Sequence, residues 1–175
     1  VELGAGPCWL SATLAKEPAV DRVIAVEFSR RRLEELAPIA IEYLGAPSEK
    51  IERVLADFYN PGLPPESADL VFTDASFHHS VDPVRLARVA YELLRPGGAF
   101  VLFREPTLAL LRRTREHGLE GRHGSFEHEY FARSYLEHLR SAGFKPRKFA
   151  ASGGFRSPRA RAILRPPLSW LNGVL

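Results

Sequence analysis

The fold class of this chain is indicated first by a glycine-rich segment, Glu2-Leu3-Gly4-Ala5-Gly6-Pro7-Cys8. It continues an apolar stretch, Val1–Leu3, that is typical of the end of a strand, and it precedes a helix predicted over Trp9–Lys16. Gly4 and Gly6 let the backbone turn tightly and approach a ligand that a Cβ atom would push away. Amide groups at the start of the following helix favour an anionic or polar ligand group. The segment therefore predicts a strand–turn–helix unit with a ligand site at the turn.

Short apolar runs alternate with longer amphipathic stretches along the rest of the chain. We expect four further strands at the apolar runs, over Val23–Val26, Ile51–Ala56, Ala68–Thr73 and Ala99–Phe103. Helices are expected from Ser29 to about Leu44, from Pro83 to Leu94 and over Phe131–Ala142. Two closing strands are expected over Phe144–Ala150 and Ala160–Leu164. This alternation is typical of an α/β domain with a mainly parallel sheet and helices on both faces.

Two later strand ends carry groups that suit a nucleotide. Glu27 ends the second strand 21 residues after Gly6, the separation at which an acid reaches the ribose hydroxyls in a nucleotide-binding βαβ unit. Asp57 follows the third strand and can accept from an exocyclic amine, while Phe58 can pack on a purine ring. The plainer alternatives are a helix-starting acid for Glu27 and a turn residue for Asp57. Because ligands of open parallel sheets lie at the carboxyl ends of the strands, we expect these groups to converge.

The composition predicts one soluble globular domain over residues 1–175, since the chain is 45% hydrophobic and 26% charged. No run reaches the ~18–20 apolar residues of a membrane span, so an integral membrane protein is not expected. The single cysteine, Cys8, allows no internal disulfide and, with no secretory leader in the sequence, favours the cytoplasm. Because the chain begins at Val1 and contains no methionine, we expect a piece of a longer protein, truncated within its first strand.

Basic side chains are concentrated near the end of the chain. Residues 138–175 hold eight of them and no acid, whereas the net charge of the whole chain is only +3. Such a tail could bind phosphate, nucleic acid or an acidic surface. No aromatic ladder is interleaved to stack bases, so a solvated basic edge is favoured and nucleic acid is not expected as a partner.

Five segments resemble, in their order and spacing, the motifs of class I S-adenosylmethionine-dependent methyltransferases. They are Glu2–Gly6, Val23–Glu27, Ala56–Phe58, Ala68–Asp74 with Phe77–His79, and Leu94–Gly98. Cys8 departs from the family pattern, which often has a third glycine there. The resemblance implies a Rossmann-like three-layer fold with a seven-stranded sheet whose last strand is antiparallel and inserted.

The resemblance also implies where the cofactor, S-adenosylmethionine, would lie before it leaves as S-adenosylhomocysteine. Its binding residues would lie at the ends of the first four strands: Glu2, Gly4 and Gly6 along the methionine part, Glu27 at the ribose, Asp57 and Phe58 at the adenine, and Asp74 and Ala75 at the sulfonium. Phe28, next to Glu27, is expected to contact the cofactor as well.

A dinucleotide-binding oxidoreductase is the main rival, because it shares the Gly-rich turn and the ribose acid. Its G-x-G-x-x-G fingerprint needs a last glycine for close packing of helix on strand. Counted from Gly4 and Gly6, that position holds Trp9, the largest side chain available. The sequence therefore disfavours nicotinamide chemistry.

Residues of the acceptor side are expected after the fourth and fifth strands, and Arg104 and Glu105 after the fifth could face the substrate or simply solvate the rim of the sheet. His78 and His79 are the candidates for a general base, which assists methyl transfer to a hydroxyl. Positioning alone can suffice, so the alternative is that one histidine packs and the other lines the pocket. Residues 106–130 lack a steady period and predict an irregular, partly helical insertion that forms a lid or substrate wall. Histidines and acids in this insertion fit no compact ligand spacing, so no metal site is expected.

Together these features predict a methyltransferase that acts on a small molecule, with a hydroxyl favoured as the acceptor. The segment Asp74-Ala75-Ser76-Phe77 lacks the Asn- or Asp-Pro-Pro-aromatic run in which enzymes that methylate nucleic-acid amino groups resemble one another. Two alternatives stay open: a non-catalytic cofactor-binding or scaffold domain, and a nucleic-acid methyltransferase guided by the basic tail. The sequence predicts no oligomeric state.

Overall fold

Five parallel strands form the central sheet of the molecule. The structure is a computed structural model that describes residues 1–108, 118–120, 126–128 and 130–147. The strands are β1 (Glu2–Leu3), β2 (Val23–Glu27), β3 (Ile51–Leu55), β4 (Ala68–Asp74) and β5 (Leu94–Phe103). They lie in the order β3-β2-β1-β4-β5, and each neighbouring pair is parallel. The order reverses between β1 and β4, which is the switch point where open sheets of this kind bind ligands.

Helices cover both faces of the sheet. They are α1 (Trp9–Ala15), α2 (Ala37–Tyr43, after a π-helical turn over Arg32–Leu36), α3 (Pro83–Leu93) and α4 (Ala132–Ser141). Ala25 and Phe72 pack with α1 and α2 on one face, whereas their neighbours Val26 and Val71 pack with α3 and α4 on the other. This confirms the predicted three-layer α/β architecture. Within the part of the chain that the structure describes, no helix is long and apolar enough to cross a membrane.

Local sequence signals account for α3. Asp82 is its N-cap, and one oxygen of the carboxylate accepts a hydrogen bond from the amide of Arg85 at 2.9 Å. Pro83 occupies the first helical position, where no backbone donor is needed. The buried side chains then recur at three- and four-residue spacing: Leu86, Ala87, Ala90 and Leu93. Burial of each leucine stabilises the fold by about 1.5–3 kcal/mol.

Strand β5 begins earlier than the sequence predicts. A turn was expected over Arg95–Gly98 and a strand from Ala99, whereas the strand extends from Leu94, which pairs with Ala68. The register of this pairing shifts directly after Ala68. Gly97 has φ of +84°, a conformation that glycine adopts without a steric penalty. The glycine therefore lets the strand bulge where a turn was expected.

The predicted insertion over 106–130 contains strands where the structure describes it. The strands β6 (Gly118–Glu120) and β7 (Phe126–His128) form an antiparallel pair, and Thr107 bridges to Tyr130. No helix occurs in the described residues of this segment, so the expectation of partly helical structure is not met there. The remaining residues of the insertion lie outside the described part of the chain.

The first closing strand is not formed over residues 144–147. Phe144 packs instead against the rings of Tyr91 and Phe100, at centroid distances of 5.2 and 5.6 Å. Pro146 has no amide hydrogen to donate to a strand ladder. Residues 148–150 and Ala160–Leu164 lie outside the described residues, so the sixth and seventh strands of the main sheet, one of them antiparallel, stay a prediction.

Replacement of Asp82 tests the cap of α3. We expect Asp82→Ala to lower the free energy of unfolding by about 1 kcal/mol, because the amide of Arg85 loses its acceptor. Asp82→Asn keeps an oxygen in place and should retain most of the stability. Urea denaturation of the three proteins measures the difference, and an Asn variant as unstable as the Ala variant would contradict the capping role.

Candidate cofactor and acceptor site

The glycine-rich loop leaves β1 at the switch point of the sheet. A Cβ atom on Gly4, which has φ of +75°, would lie 2.8 Å from Cβ of Ser76. The hydroxyl of Ser76 also donates to the carbonyl of Leu3 at 2.8 Å, so the loop after β4 is packed directly onto the end of β1. Gly6 has φ of +53°, and no described atom lies within 4 Å of the position that its Cβ would take. Protein packing therefore requires Gly4, whereas Gly6 faces open space that a ligand can enter.

Glu27 closes this loop from the side of β2. One carboxylate oxygen accepts from the amide of Gly6 at 2.7 Å, and the other accepts from the amide of Ser29 at 2.8 Å. The side chain is buried, with 2% exposure. The two charge-assisted bonds fix the loop against the start of the next helical segment. Each carboxylate oxygen has a further lone pair, so ribose hydroxyls can donate to the same group.

Aromatic surface lies at the ends of β2 and β3. Phe28 follows β2 and is 65% exposed. Phe58 is half-buried beside the loop, with its Cδ1 atom 3.7 Å from the position that a Cβ on Gly4 would take. Asp57 is exposed, and one of its carboxylate oxygens accepts from the amide of Tyr59 at 2.6 Å. The turn that this bond forms sets the direction in which Phe58 leaves the strand.

Glu2 lies in the interior beneath the loop, with 1% exposure. Its carboxyl accepts hydrogen bonds from the amide of Ser11, at 3.0 Å, and from the hydroxyl of the same residue. Desolvation raises the pKa of Glu2 to about 8; the hydrogen bonds from Ser11 oppose this rise, and the negative charge of Asp74 adds to it. Glu2 is therefore largely protonated at neutral pH.

Three residues in the loops after β1, β4 and β5 have left-handed backbone conformations. They are Cys8, Ala75 and Arg104, with φ of +62°, +48° and +50°. This region costs a residue with a side chain about 1–2 kcal/mol. Such strain clusters at ligand sites. The fourth such residue among those described, Glu66 with φ of +52°, lies just before β4 at the opposite edge. Most of this strain is therefore at the carboxyl edge, which is the candidate functional edge.

Cys8 is the position where the sequence departs from the family pattern. The left-handed conformation of this N-cap residue explains why glycine is common there. The thiol is fully buried, and burial raises its pKa to about 12. Cys8 is therefore accommodated as a small apolar side chain with little thiolate character.

Asp74 is paired with Arg104 across the ends of β4 and β5. Nε and Nη2 of the guanidinium donate to the two carboxylate oxygens of Asp74, the first at 2.6 Å. These hydrogen bonds raise the pKa of Arg104. The carboxylate of Asp74 is largely buried, while the arginine side chain is 66% exposed. Asp74 thus lies at the predicted edge of the sheet, and its charge is shared with Arg104, whose place at the end of the fifth strand the sequence predicts but whose pairing with Asp74 it does not.

The loop after β4 wraps around the carboxylate of Glu105, which lies just beyond β5. Five hydrogen bonds reach this group: from the hydroxyl of Thr73 (3.2 Å), the amides of Ser76 (3.2 Å), Phe77 (3.0 Å) and His78 (3.2 Å), and Nδ1 of His78 (2.8 Å). His78 is 9% exposed, and its ring centroid lies 4.0 Å from that of His79. The two candidate bases are therefore adjacent, and a single buried acid orders their loop.

Metal-binding chemistry is not indicated by the described residues. In the ranges given above, no three His, Cys, Asp or Glu side chains are placed to hold a metal ion.

Comparison with known proteins agrees with this geometry. A family model described as a methyltransferase domain matches residues 1–102, which include the glycine-rich loop, Glu27, Asp57 and all of β4. The match covers more than half of the chain. The chain belongs to this methyltransferase-domain family. The resemblance drawn from the five sequence segments is thereby confirmed.

Solved structures share the fold of this methyltransferase domain. A candidate methyltransferase from Bacillus halodurans is 21% identical with a TM-score of 0.71; the match covers 84% of this chain and 62% of that one. The [4+2]-cyclase SpnF is 21% identical with a TM-score of 0.66, over 81% of this chain and 48% of the cyclase. An S-adenosylmethionine-dependent methyltransferase from Mesorhizobium loti is 21% identical with a TM-score of 0.64, over 94% and 81%.

The chain thus spans only about half of the cyclase and three-fifths of the Bacillus protein. No protein with a curated description matches the sequence. At 21% identity these likenesses establish the fold, and a cyclase among them illustrates that one fold carries several reactions. The reaction depends on the residues of the site.

The buried acid Glu2 predicts a pH-dependent stability. The pKa of Glu2 is about 8 in the folded state against an ordinary value of 4.5. Between pH 4.5 and about 8, the folded state therefore keeps a proton on Glu2 that the unfolded state has lost. Stability should therefore fall as the pH rises through this window, by about 1.4 kcal/mol per pH unit at most, and level off above it. Glu2→Gln, which mimics the protonated acid, should flatten this dependence in urea titrations. Parallel curves for the two proteins would contradict the assignment.

The thiol of Cys8 should be unreactive in the folded domain. Burial and a pKa of about 12 leave almost no accessible thiolate. We expect no alkylation by iodoacetamide under native conditions and complete alkylation in urea, both read by mass spectrometry. Rapid labelling of the folded protein would show that the start of α1 opens.

Proposed function

We propose that this methyltransferase domain binds S-adenosylmethionine at the carboxyl ends of β1–β4 and transfers the methyl group to a hydroxyl of a small molecule. The observation that carries the proposal is the carboxylate of Glu27, which holds the amide of Gly6 while Gly6 itself faces open space. A ribose requires an acid that can accept hydrogen bonds from its hydroxyls. A glycine beside open space lets the protein backbone approach the ligand closely.

Each remaining part of the cofactor has a matching group along the same edge. The Gly4–Gly6 loop suits the methionine end because open space lies beside Gly6, while Glu2, buried beneath the loop, supports its shape. The amides of Gly4, Ala5 and Gly6 are already bonded, to the carbonyl of Val26 and to the carboxylate of Glu27. The exposed Phe28 and the half-buried Phe58 offer faces for the adenine, with Asp57 at its amine. Asp74 and Ala75 border the expected position of the sulfonium. When bound, the cofactor supplies a methyl group already activated by that sulfonium.

The acceptor side of the proposal rests on the histidines after β4. The turn Phe77–His79 packs against β7 of the insertion, so this strand forms a wall beside His78. An imidazole in this position can remove the proton of a hydroxyl as the new bond forms. The ring of His79, tilted by 41° to that of His78, lies beside it along the same turn.

A second candidate is a domain that binds the cofactor without methyl transfer. Its fold is shared with a [4+2]-cyclase, and the pairing of Asp74 with Arg104 occupies a carboxylate expected at the sulfonium. Such a domain would bind the cofactor and leave it intact.

A pair of glycine variants tests the cofactor site. Gly6 and Gly45 both have left-handed backbone, with φ of +53° and +58°, and a Cβ on either meets no described atom within 4 Å. Gly6→Ala and Gly45→Ala should therefore cost similar stability, about 1–2 kcal/mol each. Only Gly6→Ala should weaken binding of S-adenosylmethionine in calorimetric titration, by about tenfold or more. Equal affinities for the two variants would place the cofactor elsewhere.

Turnover separates the two candidates. The complete protein is incubated with S-adenosylmethionine and a panel of small hydroxyl compounds, and formation of S-adenosylhomocysteine is measured. Product that depends on the acceptor and is strongly reduced in His78→Asn supports methyl transfer. Tight binding with no product across the panel favours the second candidate.

A further inference from the structure

The side chain of Glu105 accepts hydrogen bonds from residues at the end of the neighbouring strand β4 and in the loop that follows it. Its side chain is only 6% exposed, although it lies beyond the end of β5 at the rim of the sheet. One oxygen accepts from Thr73, Ser76 and Phe77, and the other accepts from the amide of His78 and contacts its ring. Successive amides that converge on one group form an anion nest. Here the anion is a side chain of the protein, so the shape of the loop depends on it.

The contact with the ring fixes the proton of His78. A carboxylate is an acceptor only, so at 2.8 Å from Oε2 the Nδ1 atom must be the donor. A neutral imidazole carries one proton, and its lone pair is therefore on Nε2. Among the described residues, no hydrogen bond to Nε2 of His78 is formed. The carboxylate thus leaves the outward nitrogen of the ring ready to accept a proton.

We propose that Glu105 is a positioning residue, which holds His78 in the Nδ1-protonated tautomer so that Nε2 takes the proton of a hydroxyl acceptor. This inference rests on the proposed function. Nε2 gains the proton as the acceptor oxygen bonds to the methyl carbon, and the methyl–sulfur bond breaks with its electron pair left on sulfur. The positive charge thereby moves from sulfur to the imidazole. The carboxylate of Glu105 stabilises that charge, as an acid paired with histidine does in hydrolytic triads.

Glu105→Gln should change Nδ1 of His78 from a hydrogen-bond donor to an acceptor. The amides of Ser76 and Phe77 need the remaining carbonyl oxygen, so the NH₂ group of the glutamine faces His78. Nδ1 must then accept, and the proton moves to Nε2, where it blocks the base. Thr73→Val is the matched control, because it removes another hydrogen bond to the same carboxylate without touching the ring.

Two-bond ¹⁵N–¹H spectra of the full protein, labelled at histidine, report the tautomer. They are recorded at about pH 8.5, where an ordinary imidazole with a pKa of about 6.5 is neutral. His78→Asn identifies the signal. We expect the Nδ1-protonated form in the wild type and in Thr73→Val, and a change to the Nε2-protonated form in Glu105→Gln. Thermal unfolding of each sample shows that the comparison is between folded proteins.

An Nε2-protonated His78 in the wild type overturns the proposal, and so does a folded Glu105→Gln protein with an unchanged tautomer. If Glu105→Gln does not fold, Glu105→Asp replaces it in the test. The shorter side chain of Glu105→Asp retracts from the ring, so His78 should no longer show a single tautomer. Titration of the same samples with S-adenosylhomocysteine separates the two claims. A wild type that does not bind it refutes the proposed function, whereas a wrong tautomer with intact binding refutes the role of Glu105 alone.

Discussion

The carboxylate of Glu27 joins the first two strand–helix units at the edge of the sheet where the methyltransferase domain holds its loops. It accepts one amide from the glycine-rich loop and one from the start of the next helical segment. Glu2 likewise accepts a hydrogen bond from the amide of Ser11, and Glu105 accepts hydrogen bonds from three amides of the loop after β4. Buried acids that satisfy backbone donors thus shape this edge before any ligand arrives.

Strained backbone conformations and open space lie side by side at the same edge of the sheet. Gly4 is required because Ser76 packs against it, whereas Gly6 is free to meet a ligand. Arg104 is held in a left-handed conformation while it pairs with Asp74. Rigid contacts on one side of the loop and space on the other are what a preorganised binding site needs, since a ligand then orders little on binding.

The sequence predicted the features that depend on local patterns. The positions of Glu27, Gly4 and Gly6 at the ends of strands were predicted because strand ends and glycine turns have recognisable spacing, and the alternation of apolar runs predicted the layered sheet. The role of Glu105 could not be found in this way, because its partners lie 27 to 32 residues away in the chain and meet it only once β4 and β5 are paired. The strand that extends from Leu94 depends likewise on the backbone of Gly97.

A crystal structure of the complete protein with S-adenosylhomocysteine would locate the cofactor site. We expect the ribose hydroxyls on the carboxylate of Glu27, the adenine against Phe28 or Phe58, and the amino-acid end over Gly6. Electron density for the ligand at another edge of the sheet, or no density at saturating concentration in crystals of the folded protein, would contradict this expectation.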